Sequence, residues 1–245
     1  MNIANSTILI TGSNRGIGKT IVEAVLAAGA KKVYATARNI ASVQPLADQY
    51  GDKIVPLALD VSKSDSVQIA ADAAGDVDIV INNAGILRLA SPLDPHAIDT
   101  FKEELETNVY GLLRIAQAFA PILKANGGGV LAQLNSVASL KNFSDFATYS
   151  ASKAASYSLT QGLREKLAEQ NTQVVSVHPG PIKTDMAHEA GFGDVGDPPS
   201  VVANEIVRAI EAGDFHAFPD TIAQQFWTGY QPFAENFIEA TLAEA

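Results

Sequence analysis

The chain has 245 residues, of which 27 are acidic and 17 basic, so its formal charge is −10. Residues 1–185 carry a charge of only −1, whereas residues 186–245 carry −9. Such a chain lacks the basic surface that binding to nucleic acid or an anionic membrane requires. With 47% hydrophobic residues and no cysteine, the composition excludes general disorder, disulfide bonds and thiolate catalysis.

Short β-branched segments alternate with longer segments that have apolar residues at helical spacing. The predicted strands are residues 7–11, 32–37, 54–59, 78–82, 129–135 and 173–178. The predicted helices are residues 18–28, 64–74, 99–125, 148–170 and 200–212. This alternation predicts right-handed βαβ units and a doubly wound, mostly parallel sheet with helices on both faces. No linker interrupts the pattern, so we predict a single α/β domain over residues 1–245.

The C-terminal part follows a different pattern. Glycines and adjacent prolines predict a loop over about residues 185–200. Residues 215–219 are a weak candidate for a seventh strand, within an atypical segment at about 213–245. Phe233, Phe237, Ile238 and Leu242 recur at helical spacing, which predicts an amphipathic helix packed on the body or on a sister subunit.

A glycine-rich turn, Thr11-Gly12-Ser13-Asn14-Arg15-Gly16-Ile17-Gly18, follows the first predicted strand and opens a helix. Glycine permits tight turns and lets backbone N–H groups approach a pyrophosphate closely, so the turn predicts a dinucleotide site. Gly18-Lys19-Thr20 also matches the end of a P-loop, but position 13, where that motif requires glycine, is serine. A P-loop phosphotransferase is therefore an alternative, tested by ATP binding with magnesium.

Further motifs follow in order along the chain. They are Asp60-Val61 after the third predicted strand, Asn82-Asn83-Ala84-Gly85 after the fourth, Asn108 in the long helix, Ser136 after the fifth strand, Tyr149-Ser150-Ala151-Ser152-Lys153, and Pro179-Gly180 with Thr184 after the sixth. Together with the glycine-rich turn, they resemble the short-chain dehydrogenase/reductase family over about residues 6–185. The resemblance implies a Rossmann fold and an oxidoreductase that reduces a ketone or aldehyde reversibly. A protein of the same fold that binds a dinucleotide as a sensor, without turnover, is the alternative.

The end of the second predicted strand bears on the choice of cofactor. Sites for NAD usually place a carboxylate there, and this carboxylate would repel a 2′-phosphate. This chain has Ala37 and then Arg38, with Arg15 in the glycine-rich turn. Two guanidinium groups suit bidentate contact with phosphate, although both could be solvated surface charges. Family members with this pair prefer NADP, so the resemblance implies NADP(H).

The resemblance assigns cofactor contacts to a larger set of residues. Asp60, which could otherwise be a turn or capping residue, and the backbone of Val61 would face the adenine. Thr184 and the backbone near Ile182 would hold the nicotinamide carboxamide. The full set is Gly12, Ser13, Asn14, Arg15, Gly16, Ile17, Gly18, Arg38, Asp60, Val61, Asn83, Ala84, Gly85, Tyr149, Lys153, Pro179, Gly180, Ile182 and Thr184.

Tyr149 and Lys153 are four residues apart at the start of a predicted helix, so both side chains project from one face. The neighbouring ammonium and a cationic oxidised nicotinamide are expected to lower the pKa of the Tyr149 phenol from about 10. The resemblance implies that Tyr149 donates the proton in carbonyl reduction and that Lys153 binds the nicotinamide ribose. Ser136 would bond the substrate oxygen, and Asn108 would hold a water that links Lys153 to solvent. A Tyr-x-x-x-Lys pair alone is a common pattern on helix surfaces.

The substrate pocket is expected between residues 86–89, residues 137–146 and the loop at about 185–196. Its predicted lining residues, mainly apolar, are Leu87, Leu89, Ser136, Leu140, Phe143, Phe146 and Met186. This composition favours a small hydrophobic carbonyl compound or alcohol. The four histidines are widely spaced along the chain and form no metal-binding motif, so no metal site is predicted.

Assembly and location are expected from the same sequence. The resemblance implies a homodimer or homotetramer that associates through the helices at about residues 99–125 and 148–170. The first residues lack a basic region followed by an apolar core, and no apolar run reaches the roughly 18–20 residues of a membrane span. Both features favour a cytoplasmic location.

Overall fold

The computed structural model describes residues 1–191 and 195–240. Within them, seven strands form one parallel sheet in the order β3-β2-β1-β4-β5-β6-β7. The strands are β1 (Thr7–Ile10), β2 (Lys32–Ala37), β3 (Ile54–Ala58), β4 (Ile79–Asn82), β5 (Gly129–Leu134), β6 (Thr172–Val177) and β7 (His216–Ala217). Parallel neighbours require crossover connections, which pass over a face of the sheet. The doubly wound α/β fold predicted from the sequence is confirmed.

Helices occupy most of the crossovers. They are α1 (Gly16–Ala27), α2 (Gln44–Tyr50), α3 (Ser64–Ala73), α4 (Ala97–Glu104), α5 (Gly111–Ala125), α6 (Ala147–Ala168), α7 (Asp185–Glu189), α8 (Pro199–Ala212) and α9 (Thr221–Phe233). A π-helical segment, Leu105–Tyr110, joins α4 to α5, where the sequence predicted one continuous helix. The sequence did not predict α2, because seven residues are too few to show clear helical periodicity. No helix in the described part of the chain is both long and apolar enough to span a membrane.

Each face of the sheet has its own hydrophobic core, because successive side chains of a strand point to opposite faces. Ile8 and Ile10 of β1 belong to the core that includes residues of α1 and α8. Leu9, between them, belongs to the core on the other face, under α3, α5 and α6. Because both faces of the sheet are buried, the strands are held in place, and the loops at their carboxyl ends start from defined positions.

The strand order creates a crevice at the carboxyl edge. The chain leaves β1 toward β2 and β3, and β4 then pairs with the other side of β1. Loops that follow β1 and β4 therefore diverge to opposite sides, and ligands of open α/β sheets bind at such a point. The motifs singled out in the sequence follow these strands and lie along this edge.

The C-terminal segment differs from the prediction in extent and packing. The weak candidate strand is observed as the two-residue β7, and α9 begins at Thr221, which the sequence did not predict. Phe233 and Phe237 are 52% and 71% exposed, whereas Ile238 of the same predicted helix packs against the core under α3, α5 and α6. Leu242 lies outside the described residues, as does Gly193 of the predicted loop. The described part of that loop includes the short helix α7.

Candidate active site

A cleft of about 550 Å³ opens at the carboxyl edge of the sheet. It brings together most of the residues that the sequence assigns to a cofactor. These are Gly12, Asn14, Arg15, Gly16, Ile17, Gly18, Arg38, Asp60, Val61, Asn83, Ala84, Gly85, Tyr149, Lys153, Pro179, Gly180, Ile182 and Thr184. Ser136 and four of the predicted substrate residues, Leu87, Phe143, Phe146 and Met186, also line it.

The three glycines of the turn occupy positions that favour glycine, either by backbone conformation or by close packing. Gly12 and Gly16 have φ angles of 67° and 53°, in the left-handed region that glycine adopts readily. A Cβ on Gly18 would lie 2.1 Å from Gly12 O and 2.6 Å from Asn83 Nδ2. Asn83 Nδ2 donates to Thr11 O at 2.8 Å and to Gly12 O at 3.0 Å, so it fastens the turn to the end of β4.

Ser13 does not face the cleft, which corrects the prediction that it contacts a cofactor. Its fully buried hydroxyl donates to Ile10 O at 2.7 Å and accepts from Thr36 N at 3.0 Å. Its backbone N–H donates to Thr36 O at 2.8 Å. Because these polar groups are used inside the protein, Ser13 holds the turn against β2 instead of binding a ligand.

The N-terminus of α1 is a potential anion site on the floor of the cleft. Its N-cap residue, Arg15, makes no side-chain capping bond, and the first turn contains no acidic residue. Residues 15–18 line the cleft, so the unpaired N–H groups of this turn lie beside it. Unpaired N–H groups and the positive end of the helix dipole favour a phosphate group. This arrangement fits the pyrophosphate of a dinucleotide.

Two arginines, Arg15 and Arg38, line the cleft near the N-terminus of α1 and the end of β2. Exposed Arg38 follows Ala37, the last residue of β2, and both line the cleft. Arg15 Nη1 lies 3.5 Å from Asp185 Oδ2 and 3.4 Å from Glu189 Oε1, which places α7 over the turn. Burial raises the pKa of Asp60, but hydrogen bonds from Ser62 and the positive charge of Arg38 outweigh this effect, so the pKa is lowered overall.

Lys153 and Tyr149 lie together on the first turns of α6. Lys153 is 4% exposed, and its Nζ donates to Leu134 O at 2.7 Å and lies 5.8 Å from the centroid of the Tyr149 ring. Burial lowers the pKa of Lys153 to about 8. Ser136 Oγ donates to Pro179 O at 3.3 Å and accepts from Ala138 N at 3.1 Å. The geometry thus gathers a phenol, an ammonium and a hydroxyl at one side of the cleft.

The pKa of Tyr149 moves in the direction opposite to the sequence expectation. Burial raises it to about 12, the hydroxyl of Ser136 opposes this change, and the charge of Glu104 adds to it. In the protein without a bound cofactor, removal of the phenol from water outweighs any stabilisation of the phenolate by Lys153. Tyr149 is therefore a protonated phenol throughout the neutral range.

Asn108 lies behind the cleft, in the π-helical segment. Its Nδ2 donates to Ile86 O and to Ser152 Oγ, and its Oδ1 accepts from Ile86 N, all at 2.9 Å. A Cβ on Gly85 would lie 3.2 Å from Asn108 Oδ1 and 3.6 Å from Lys153 Nζ, so Gly85 lets these groups approach one another. Asn108 therefore ties the chain after β4 to α6. The water relay remains a prediction.

Two predicted substrate residues do not line the cleft. Leu89 is 54% exposed, because the extended segment after β4 turns its side chain to solvent. Leu140 packs against the apolar cluster that contains Val137 and Phe218. Conversely, Ile222 and Phe226 of α9 line the cleft. Their spacing of four residues is a helical signal, but the sequence alone could not place their helix beside the cleft.

The structure also brings together histidines that are far apart in sequence. The rings of His178 and His216 lie 5.8 Å apart, next to Tyr157. Tyr157 Oη lies 2.6 Å from His216 Nε2, and His216 Nδ1 lies 2.6 Å from Glu239 Oε1. No group of three or more potential metal ligands was found among residues 1–191 and 195–240.

Comparison with known proteins places this geometry in a family. The family model described as short chain dehydrogenase matches residues 6–192. An uncharacterized oxidoreductase of Staphylococcus aureus (strain USA300) is 32% identical over 187 residues, which cover 74% of this chain and 80% of the relative. A short chain dehydrogenase from Burkholderia cenocepacia J2315, solved in complex with NADP, is 31% identical, with a TM-score of 0.87 over 97% of this chain and 99% of that one.

A 7α-hydroxysteroid dehydrogenase, solved with NADH and 7-oxo glycochenodeoxycholic acid, is 26% identical. Its TM-score is 0.80, and the match covers 88% of this chain and 93% of that chain. The family model covers well over half of the sequence and contains the ordered motifs that line the cleft. The chain therefore belongs to the short-chain dehydrogenase/reductase family of oxidoreductases.

Proposed function

We propose that the protein is an NADPH-dependent reductase of hydrophobic ketones or aldehydes, acting reversibly. The observation that carries the proposal is a single cleft that joins two features. At one end lies the open N-terminus of α1, with two arginines and no carboxylate at the end of β2. At the other end, Ser136, Tyr149 and Lys153 lie beside an apolar wall.

The residues present fit a nicotinamide dinucleotide, which when bound supplies or accepts a hydride. The turn at the start of α1 would hold the pyrophosphate, and Lys153 would hold the ribose of the nicotinamide half. Ser136 Oγ would donate a hydrogen bond to the substrate oxygen and orient the carbonyl. Tyr149 Oη would donate its proton to the same oxygen, since a pKa of about 12 keeps the phenol protonated at neutral pH.

Support for an NADP(H) preference comes from the adenosine end. Arg38 and Arg15 both line the cleft, and Ala37 presents no negative charge to a 2′-phosphate. The ion pairs of Arg15 with α7 are solvent-exposed, so they are weak enough for a phosphate to replace them. The NADP-bound relative from Burkholderia agrees with this proposal, whereas the NADH-bound hydroxysteroid dehydrogenase shows that the fold also serves NAD.

Replacing Ala37 with aspartate should lower the ratio of kcat/KM for NADPH to that for NADH by about 100-fold, because a carboxylate would face the 2′-phosphate. Steady-state kinetics with both cofactors measures this ratio. The exposed Ala41→Asp variant adds the same charge nearby without lining the cleft, and serves as the control. An unchanged ratio in Ala37→Asp would overturn the NADP assignment.

The substrate end favours a neutral, hydrophobic compound. Apolar side chains cover it from four parts of the chain: Leu87, Phe143 and Phe146, Met186, and Ile222 with Phe226. The rings of Phe143 and Phe146 stack at 5.1 Å, and Phe146 meets Tyr149 edge to face at 6.2 Å. A flat or ring-containing carbonyl compound would contact these rings while its oxygen reaches Tyr149.

The proposal is tested by incubating the protein with a panel of carbonyl compounds and either NADPH or NADH. We expect NADPH consumption with hydrophobic ketones or aldehydes, and little with charged or sugar-like ones. Binding of NADPH without consumption across the panel would favour a sensor of the same fold. Binding of ATP with magnesium in place of NADPH would favour a phosphotransferase.

We also propose that the enzyme acts as a cytoplasmic homo-oligomer. Exposed apolar side chains on the long helical segment support association, with Ile98 at 72% and Tyr110 at 46% exposure. Light scattering after gel filtration measures the mass of the particle in solution. A monomer at assay concentrations would contradict the proposed assembly.

A further inference from the structure

Hydrogen bonds of Asn108 join two segments that line the cleft, the chain after β4 and helix α6; this set of bonds is here called the first bridge. Asn108 contacts Ile86 on the segment after β4 and Ser152 on α6. Ser152 Oγ in turn donates to Tyr149 O at 2.8 Å. This first bridge therefore connects the backbone beside the substrate pocket with the helix turn that carries Tyr149 and Lys153.

A second set of residues, here called the second bridge, lies one helical turn earlier at corresponding positions. Glu104, four residues before Asn108, accepts a hydrogen bond on Oε1 from Arg88 N at 2.9 Å. Arg88 lies two residues after Ile86, on the same side of this extended segment. Thr148, whose hydroxyl affects the pKa of Glu104, lies four residues before Ser152. The two bridges thus use equivalent positions on three elements.

The second bridge contains two buried polar atoms that make no well-formed hydrogen bond. Glu104 is fully buried and Thr148 is 8% exposed. Among the described residues, neither Glu104 Oε2 nor Thr148 Oγ1 makes a well-formed hydrogen bond, although the Thr148 hydroxyl lies close enough to Glu104 to affect its pKa. An unsatisfied buried polar group destabilises the folded state, and an unpaired buried charge does so more strongly. A proton on Glu104 Oε2 would remove the charge and provide a donor for Thr148 Oγ1.

We propose that Glu104 is a positioning residue, which as a neutral carboxylic acid accepts from Arg88 N and donates to Thr148 Oγ1, and so holds Tyr149 against the substrate wall of the cleft. Ala147 N, which donates to Ala90 O at 3.0 Å, joins the same two segments. The effect on catalysis rests on the proposed function, whereas the bond network and the proton do not.

The burial of Glu104 favours a neutral carboxyl group. Burial and the charge of Glu103 raise the pKa of Glu104. The hydroxyl of Thr148, together with the N–H group and the charge of Arg88, acts to lower it, but the pKa is raised overall. Tyr149, on α6, is a titratable neighbour of Glu104, and a negative charge on Glu104 raises the pKa of Tyr149. Ionisation of Glu104 would reverse the bond, so that Thr148 Oγ1 donates to the carboxylate, and would place a negative charge near the phenol.

The first test follows the proton and the bonds without any substrate. Infrared difference spectra of Glu104→Gln against the wild type at neutral pH should show loss of a protonated-carboxyl band, whereas the Glu103→Gln control should keep it. Hydrogen exchange at residues 86–90 and 147–150 should accelerate in Glu104→Leu but not in Glu104→Gln, whose amide can make both bonds. An unchanged band, or unchanged exchange in folded Glu104→Leu, would overturn the proposal.

The second test measures the effect on Tyr149. In Glu104→Leu we expect kcat to fall by about 10-fold to 100-fold, with the KM for NADPH little changed. At mildly acid pH, the kcat of Glu104→Gln should equal that of the wild type. As the pH rises, the ratio of the variant kcat to the wild-type kcat should increase, because glutamine cannot ionise. A ratio independent of pH would contradict the proposal. If no variant turns over a carbonyl compound, the proposed function fails, and the substrate-free test still decides the network.

Discussion

Replacing Tyr149 with phenylalanine should lower kcat for carbonyl reduction by about 10³-fold, because it removes the hydroxyl that we propose protonates the substrate oxygen. The ring itself is retained, so its edge-to-face contact with Phe146 and the position of Lys153 should persist. The Kd for NADPH should therefore change little. Stopped-flow or steady-state consumption of NADPH measures the first quantity, and fluorescence titration measures the second.

The matched control is Tyr110→Phe, which removes a hydroxyl from a 46% exposed tyrosine outside the cleft. It should keep full activity. If folded Tyr149→Phe retained most of the wild-type kcat, the proton would have to come from another group. If instead it lost NADPH binding in parallel with activity, Tyr149 would act in binding and not in proton transfer.

His178 should make the protein sensitive to acid. Its ring is fully buried, with Nε2 2.8 Å from Ser176 Oγ and Nδ1 3.0 Å from Ser139 Oγ. Burial, helped by the nearby His216, lowers the pKa of His178 to about 3. In the unfolded chain its pKa is about 6.5, so below that pH the unfolded state binds more protons than the folded state.

The sign of the effect follows from this difference. Stability from the neutral ring is fully present above about pH 6.5 and is lost as the pH falls toward 3, at up to about 1.4 kcal/mol per pH unit. Between about pH 7 and about pH 4.5, His178 alone should lower the free energy of unfolding by about 3 kcal/mol. Glu104 and Asp220, whose pKa values burial raises, act in the opposite direction.

Urea unfolding at several pH values separates these contributions. His178→Gln can be less stable at neutral pH, so the comparison is of slopes: its loss of stability on acidification should be smaller than in the wild type. His96→Gln replaces an exposed histidine and should keep the wild-type slope. Equal slopes in all three proteins would mean that the ring of His178 is protonated in the folded state.

Much of the fold could be predicted because it depends on local patterns. Short β-branched runs and helical periodicity set the strands and long helices, and motif order set the family. The elements missed were those whose pattern is short or ambiguous, such as α2 and the start of α9. In both cases packing on distant parts of the chain, and not local periodicity, decides the structure.

The site shows the same division between motif and environment. The motifs correctly bring Tyr149, Lys153 and Ser136 to one cleft, yet Ser13 lies within a motif and turns inward. Leu140 packs into a cluster that the sequence could not reveal. The direction of the Tyr149 pKa change depends on how far the fold removes the phenol from water, which residue spacing does not encode.

Glu104 gives no signal in the sequence, since a glutamate in a helix is ordinarily a solvated residue. Its complete burial, and the second bridge one turn before that of Asn108, appear only in three dimensions. The same holds for Ile222 and Phe226, whose contribution to the substrate wall depends on the position of α9.

The central claim is that this cleft carries out NADPH-dependent reduction of a carbonyl group. Its most direct test is to incubate the enzyme with a hydrophobic ketone and NADPH deuterated at the transferred position, and to analyse the alcohol by mass spectrometry. The account predicts an alcohol with one deuterium on the former carbonyl carbon, formed in equal amount to the NADPH consumed. NADPH oxidation without labelled alcohol, or no consumption of NADPH by any carbonyl compound that the cleft can hold, would contradict it.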